Sequence, residues 1–194
     1  DEVVARALDY CDWAASMGLL AIRSHVDTCD DRLLGVEALL HVREQVSDYI
    51  DLQLVAFPQD GFYRDPTARD NTIRALDMGV DVVGGIPHFE RTMADGAASV
   101  RELCEIAEAR GLMVDMAAET SRLGLHGRVT GSHLTSMHSM DNYYVSKLLP
   151  LIAEAQINVV PNPLINIVLQ GRHDTFPKRR GLTRVKEMLA MGIN

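Results

Sequence analysis

The chain has 194 residues, of which 47% are hydrophobic and 24% charged, a composition typical of a globular protein with one sizeable core. Its formal net charge of −8 argues against nucleic acid and anionic membranes as partners, and no apolar run in the sequence approaches the ~20 residues of a membrane span. The three cysteines, Cys11, Cys29 and Cys104, form no CxxC pair. This argues against a disulfide scaffold and a zinc ribbon, and makes a reducing cytoplasm the expected location.

Hydrophobic periodicity predicts strands alternating with helices along the chain. Short runs of apolar and β-branched residues predict strands at 19–27, 51–57, 80–86, 112–116, 128–133 and 157–163. Apolar residues at helical spacing predict helices at 31–46, 68–79, 96–111, 142–156 and 182–192. We expect Gly79 and Gly111 to end two of these helices, and Pro150 to kink or split a third. Residues 192–194 resemble a turn that leads into a further strand.

This repeated order is typical of a parallel α/β sheet, either an open doubly wound sheet or a closed (β/α)8 barrel. Neither GxGxxG after the first strand nor GxxxxGK[ST] occurs, which disfavours the nucleotide-binding open sheets. A barrel carries its chemistry just beyond the carboxyl ends of its strands. Polar residues stand at or after most predicted strand ends: His25, Asp27, Gln59, Asp60, His88, Glu90, His133 and Asn162. We therefore predict a TIM-like (β/α)8 barrel.

The spacing of the predicted strands is broken once. Most strands begin about 30 residues after the preceding one, the length of one βα unit, whereas the strands at 112 and 128 are separated by about half of that. A parallel crossover needs at least ~10–12 residues including its helix. We interpret the short step as a segment that is absent after Met116, through disorder or deletion; a stunted barrel unit is the alternative.

The stretch GSHLTSMHS, residues 131–139, carries two histidines. His133 stands at a predicted strand end, where an imidazole can serve as a metal ligand or as an acid or base in a barrel mouth. A histidine bonded to the backbone is the structural alternative. His138 lies in the polar, aperiodic stretch that follows, and we interpret it as a structural or supporting residue.

Three further groups of polar residues follow strands. Gln59 offers one acceptor and two donors, which suit the amide-like edge of a pyrimidine, although a turn residue would have the same position. His88 and Glu90 could bind a substrate or a neighbouring histidine, or form a structural ion pair. His25 and Asp27 share one face of a strand and could act as a metal pair, a His–carboxylate couple or a barrel-core network.

A hydrolytic metal centre in a barrel needs three or four His, Asp or Glu ligands from several strands. No HxH motif is present in the sequence. The polar loop 170–181 contains four basic residues and could clamp an anion. In an acidic chain, a loop held by salt bridges and packing is the expected interpretation.

Five segments together resemble the bacterial cytosine deaminases of the amidohydrolase superfamily. They are AFPQDG, VVGGIPHFE, GSHLTSMHS, PNPLINIVLQGRHDTFPKRRG and TRVKEMLAMGIN, and they extend over nearly the whole chain. The resemblance implies a distorted (β/α)8 barrel with one divalent metal ion, Fe²⁺ or Zn²⁺. It also implies that hydroxide bound to this metal attacks C4 of cytosine and produces uracil and ammonia.

The resemblance assigns roles to individual residues. His133 matches the histidine at the end of the sixth strand, which orients and activates the metal-bound water, and Gln59 matches the glutamine that binds the pyrimidine. His88, and with it Glu90, His25 and Asp27, are expected to support the site without binding the substrate. The metal ligands of the family lie on the first strand, in a His-Cys-Asp-Glu stretch after the fifth strand, and on the eighth strand. None of these has a counterpart in this sequence.

We therefore expect residues 1–194 to form one partial barrel domain of a metal-dependent hydrolase, with about strands two to seven. The first strand, the segment after Met116 and the last strand are expected to lie outside the chain. The expected function is deamination of cytosine or a related amino-pyrimidine such as isocytosine or 5-methylcytosine. The alternatives are an amino-triazine amidohydrolase of the N-alkyl ammelide type and a catalytically dead barrel fragment. The expected partner is a small amino-heterocycle, and a homo-oligomer is expected.

Overall fold

A computed structural model describes residues 2–111, 113–115, 125–169, 171, 172, 175 and 181–194 of the chain. The chain divides into two compact units, Asp1–Val114 and Asp115–Asn194. Among the helices of the described residues, none is both long enough and apolar enough to cross a bilayer.

The first unit alternates strands and helices, as the periodicity predicts. Its elements are α1 (Glu2–Ser16), β1 (Ala21–Asp27), α2 (Leu34–Val46), β2 (Asp51–Phe57), α3 (Ala68–Asp77), β3 (Val82–Gly84), a 3₁₀ turn (Pro87–Phe89), α4 (Met93–Arg110) and β4 (Met113–Asp115). The strands form one sheet in the order β1-β2-β3-β4. β1 and β2 are parallel from Ala21 opposite Asp51 to Asp27 opposite Phe57, so their carboxyl ends lie at one edge.

The core of the first unit lies between the sheet and its helices. The face of β2 that carries Leu52, Leu54 and Ala56 is buried, and on β1 Val26 lies against Gly35 of α2. Two of the predicted helix ends are confirmed. Gly111 follows α4 with φ +65, and its N–H donates to the Ala107 and Glu108 carbonyls. Gly79 follows α3 with φ +106.

The second unit contains β5 (Thr130–Ser132), a 3₁₀ turn (Thr135–His138), α5 (Asn142–Glu154), β6 (Asn158–Val160), α6 (Pro163–Leu169) and α7 (Val185–Ala190). β5 and β6 are parallel, with Gly131 opposite Val159. At the end of the given sequence, the Val159 N–H donates to the Asn194 carbonyl at 2.7 Å.

Several boundaries differ from the predictions. α1 was not predicted, and the strands predicted at 80–86, 128–133 and 157–163 are shorter in the structure. α5 continues through Pro150 as one helix, so of the two predicted effects, a kink or a split, the split does not occur. Pro163, expected to end a strand, begins α6, since the fixed φ of proline suits the first helical position.

Candidate functional site

His133 follows β5 directly and has a left-handed backbone, with φ +66; Leu134 after it has φ +46. A histidine in this region is uncommon, and two such residues in succession need support from their surroundings. The His133 N–H donates to the Val160 carbonyl at 3.0 Å, and the Thr183 hydroxyl donates to the His133 carbonyl. The main chain is therefore fixed on both sides of the histidine.

His133 is exposed, but one nitrogen of its imidazole ring has a buried hydrogen-bond partner. Nδ1 lies 2.7 Å from Oδ1 of Asn166 on α6, and Asn166 is only 2% exposed. Nearby Asn162 donates to the Ser132 hydroxyl at 3.2 Å, which joins the segment before α6 to β5. From the sequence, the structural alternative for His133 was a ring bonded to the backbone. In the structure, the ring is instead bonded to the side chain of Asn166.

His138 is the last residue of the 3₁₀ turn and is exposed. Gly181 lies so close to its ring that a Cβ at position 181 would clash with it. This contact accords with the interpretation of His138 as a structural residue, and it explains why glycine stands at 181.

Arg184 holds the loop between His133 and α5. Its Nε donates to the Met137 carbonyl at 2.9 Å, its Nη2 to the Met140 carbonyl at 2.6 Å, and its Nη1 to Oδ1 of Asn142 at 2.8 Å. A guanidinium can bind three acceptors at once because its five N–H donors lie in a rigid plane. Arg184 and Thr183 together anchor the loop that begins at His133.

In the first unit, Gln59 is exposed in the turn after β2. The turn is closed by the Gly61 N–H, which donates to the Pro58 carbonyl at 3.0 Å. Gly61 has φ +105, a conformation that side chains with a Cβ rarely adopt. The turn presents the Gln59 amide beyond the carboxyl end of the strand, where a barrel would bind its substrate.

Glu90 binds the chain that follows this turn. Its carboxylate accepts the N–H of Phe62 at 2.6 Å, of Tyr63 at 3.1 Å and of Arg64 at 3.0 Å. Three successive backbone donors around one carboxylate give strong, charge-assisted bonds. Glu90 thus supports the Gln59 turn through the backbone. His88 is exposed, and its ring meets that of Phe89 edge-on at 5.1 Å.

His25 and Asp27 are both exposed on one face of β1. The His25 ring meets the Phe57 ring edge-on, with centroids 4.8 Å apart. Gly84 leaves the space for Phe57, since a Cβ there would lie 2.7 Å from the Phe57 ring. Asp27 accepts the Cys29 N–H at 2.9 Å, so its carboxylate organises the chain after the strand.

Cys29 lies near the same strand ends but is poorly suited to thiolate chemistry. Burial, followed by the charge of Asp27, raises the pKa of its thiol to about 11. At neutral pH the group is a thiol, and the thiolate is the nucleophilic form. Its sulfur instead accepts the Asp60 N–H at 3.4 Å, which ties the ends of β1 and β2 together.

A pocket lies at the amino ends of these strands, opposite the ends that carry Gln59. It is lined by Arg43, Tyr49, Asp51, Gln53 and Asp81. Arg43 donates to Asp81 at 2.8 Å and to the Gly79 carbonyl at 3.0 Å. These contacts connect α2 to the chain before β3. Because the amino-terminal edge of a barrel serves stability, we interpret this pocket as structural.

Within the described part of the chain, no group of three or more His, Cys, Asp or Glu side chains could hold a metal ion. The described residues therefore do not fit the metal that the resemblance implies. Asn166, Arg184 and the backbone role of Glu90 were not identified from the sequence. The available signal for Asn166 was a single amide in the apolar run PLINIVL.

Comparisons with known proteins agree on one family. The model of the amidohydrolase family matches residues 1–194. The crystal structure of 5-methylcytosine deaminase from Klebsiella pneumoniae, liganded with 5-fluorocytosine, is 40% identical with a TM-score of 0.92, and the match covers 98% of this chain and 50% of that one. A pterin deaminase from Rhizobium rhizogenes is 31% identical over 93% of this chain and 45% of its own length.

A more distant match is N-isopropylammelide isopropylaminohydrolase from Burkholderia multivorans, which is 27% identical with a TM-score of 0.77 over 96% of this chain and 48% of that one. The chain thus spans about half the length of the relatives it matches. The pterin deaminase match extends over 199 residues but uses only 93% of this chain. That relative therefore has residues inside the matched region that this chain lacks.

Proposed function

Since the chain belongs to the amidohydrolase family, we propose that the full-length protein deaminates cytosine to uracil and ammonia, or acts on a close relative such as 5-methylcytosine or isocytosine. The observation that carries this proposal is the 40% identity to 5-methylcytosine deaminase over 98% of the chain. The segments that suggest the chemistry, around Gln59, Glu90 and His133, all lie within that matched region.

In the proposed reaction, water adds to C4 of the ring and the exocyclic nitrogen leaves as ammonia. Both protons of the attacking water leave its oxygen: one moves to ring nitrogen N3, and the other must be carried to the departing nitrogen. His133 is proposed to carry the proton, because an imidazole takes up and releases protons near neutral pH. A histidine held at both its backbone and its Nδ1 needs little reorganisation for this task.

Gln59 is proposed to bind the substrate. A pyrimidine presents adjacent donors and acceptors along its amide-like edge, and a carboxamide can satisfy both kinds of group. Gln59 is exposed in a turn that Glu90 supports through three backbone bonds. His88, His25 and Asp27 are proposed to support the strand ends around it.

We further propose one divalent metal ion, Fe²⁺ or Zn²⁺, in the full-length protein. The described residues alone do not provide its ligands, so these would have to come from other residues. Metal analysis of the purified full-length protein tests this: we expect close to one equivalent of iron or zinc. A protein that is metal-free as purified, and is fully active in the presence of a chelator, would contradict it.

The substrate class is tested by release of ammonia from cytosine, 5-methylcytosine, isocytosine and a pterin, and by release of the alkylamine from an N-alkyl ammelide. We expect the pyrimidines to give the highest kcat/KM. Highest activity on the ammelide would favour the amino-triazine alternative, although the likeness to that enzyme is weaker, at 27% identity. No release from any substrate by the metal-loaded full-length protein would favour the non-catalytic barrel.

A further inference from the structure

The side-chain amide of Asn166 decides which nitrogen of His133 carries a proton. Its Oδ1 lies 2.7 Å from Nδ1 of the ring. A carboxamide oxygen can only accept a hydrogen bond, so Nδ1 must donate. A neutral imidazole has one N–H, and the lone pair is therefore left on Nε2.

The backbone around His133 leaves the ring little other freedom. Its N–H is bound to the Val160 carbonyl at 3.0 Å, and its carbonyl accepts the Thr183 hydroxyl. The left-handed φ of +66 is retained by these contacts. The Asn166 bond then fixes the remaining rotation of the side chain, so that the orientation and the tautomer are set by the same contact.

This arrangement suits a group that must gain and lose a proton. The ring can accept a proton at Nε2 and release it again, while Nδ1 keeps its hydrogen and its bond to Asn166. With the amide turned over, its NH₂ group would donate to Nδ1 and force the hydrogen onto Nε2. Protonation of the ring would then set two donors against each other.

The neutral amide of Asn166 also affects the protonation of the His133 ring differently from a charged carboxylate at the same position. An aspartate at position 166 would offer the same acceptor oxygen, but a buried carboxylate favours the protonated imidazolium. Asn166 is 2% exposed, so this effect would be strong there. Its Nδ2 has no hydrogen-bond partner among the described residues.

We propose that Asn166 is the positioning residue that fixes His133 in the Nδ1–H tautomer, with Nε2 free to accept a proton. The catalytic meaning of this inference rests on the proposed deaminase function, whereas the tautomer does not. A further residue outside the expected site is thereby assigned a role in the proton transfer of the reaction.

The test is nuclear magnetic resonance of the full-length protein with ¹⁵N-labelled histidine. Long-range proton–nitrogen correlations distinguish the two tautomers, and His133→Asn identifies the resonance. We expect a protonated Nδ1 in the wild type, loss of this signature in Asn166→Leu, and its retention in Asn166→Asp, which keeps an acceptor oxygen. Asn158→Ala, which removes an amide that bonds the Gly127 and Val129 carbonyls and does not bind the ring, is the matched control and should leave the tautomer unchanged.

In kinetics, we expect Asn166→Leu to lower kcat by at least roughly tenfold with little change in KM. We expect Asn166→Asp not to recover this loss at neutral pH, because a buried carboxylate favours the imidazolium, whose Nε2 cannot accept a proton. A wild-type ring protonated at Nε2, or a tautomer that Asn166→Leu leaves unchanged, would overturn the inference. If Asn166→Leu does not fold, the wild-type and Asn166→Asp spectra still decide it. If the wild type releases no ammonia, the proposed function fails, and the tautomer still tests this inference.

Discussion

At the scale of single residues, His133 is the group on which the proposed chemistry depends most. Its side chain is exposed at the end of β5, while its backbone and Nδ1 are held by Val160, Thr183 and Asn166. We predict that His133→Asn in the full-length protein lowers kcat by at least ~10²-fold, because asparagine cannot take up a proton. Steady-state ammonia release measures this.

The matched control for this variant is His138→Asn, the same substitution five residues later. The His138 ring packs beside Gly181 and is exposed, so we expect kcat close to the wild-type value. Turnover by His133→Asn that equals that of the control would show His133 to be a structural residue.

Gln59 has a different expected effect, on substrate recognition. We predict that Gln59→Leu lowers kcat/KM roughly 10- to 100-fold, because a substrate edge loses its hydrogen-bond partner in a desolvated site. Competition between cytosine and its analogues would measure the loss. Gln45→Leu, at an exposed position of α2, is the control. Equal kcat/KM values for the two variants would remove Gln59 from the substrate-binding role.

Residue types at strand ends could be predicted, but their contacts could not. His133 and Gln59 were identified because polar residues stand where predicted strands end. Asn166 was missed because its partner is 33 positions away in the sequence, and because a lone amide in an apolar run has no local pattern. The role of Glu90 was missed for a related reason, since its partners are backbone N–H groups of residues 62–64.

At the scale of elements, the strand and helix order follows from periodicity. β1 and β2 were predicted with nearly their observed bounds, because their apolar runs are bounded by turn residues. α1 was not predicted, and in the structure only Cys11 and Ala14 of this helix are buried. α6 was missed although Pro161 and Pro163 separate it from the strand, because the run 164–169 is short and apolar apart from Asn166, a pattern that does not distinguish a helix from a strand.

The connection between Glu90 and the turn after β2 gives a prediction at this scale. Glu90→Gln replaces one acceptor oxygen by an NH₂ group that faces backbone donors. We expect a loss of about 1–3 kcal/mol in the free energy of unfolding and faster hydrogen exchange at the amides of residues 62–64. Urea unfolding and exchange measurements on the full-length protein test both.

The control is Glu108→Gln, at an exposed position of α4, where removal of one surface charge should change stability little. Unchanged exchange at residues 62–64 in Glu90→Gln would contradict the role of Glu90 as an anchor. If Gln59 depends on this anchor, kcat/KM should fall in Glu90→Gln as well.

At the scale of the whole molecule, the chain is an amidohydrolase-family segment that spans about half of its relatives. The parallel strands and their connecting helices were predicted from local patterns, whereas a metal centre depends on residues from several distant strands. The described residues hold no such group. The single barrel domain over residues 1–194, the homo-oligomer and the cytoplasmic location stay predictions.

The most direct test of the proposed function is product analysis of the full-length protein with cytosine and 5-methylcytosine. We predict stoichiometric formation of ammonia with uracil from cytosine and with thymine from 5-methylcytosine, and a rate at least ~10²-fold lower in His133→Asn. If the metal-loaded wild-type protein converts neither of these substrates nor isocytosine, the account of this chain as part of a pyrimidine deaminase is contradicted.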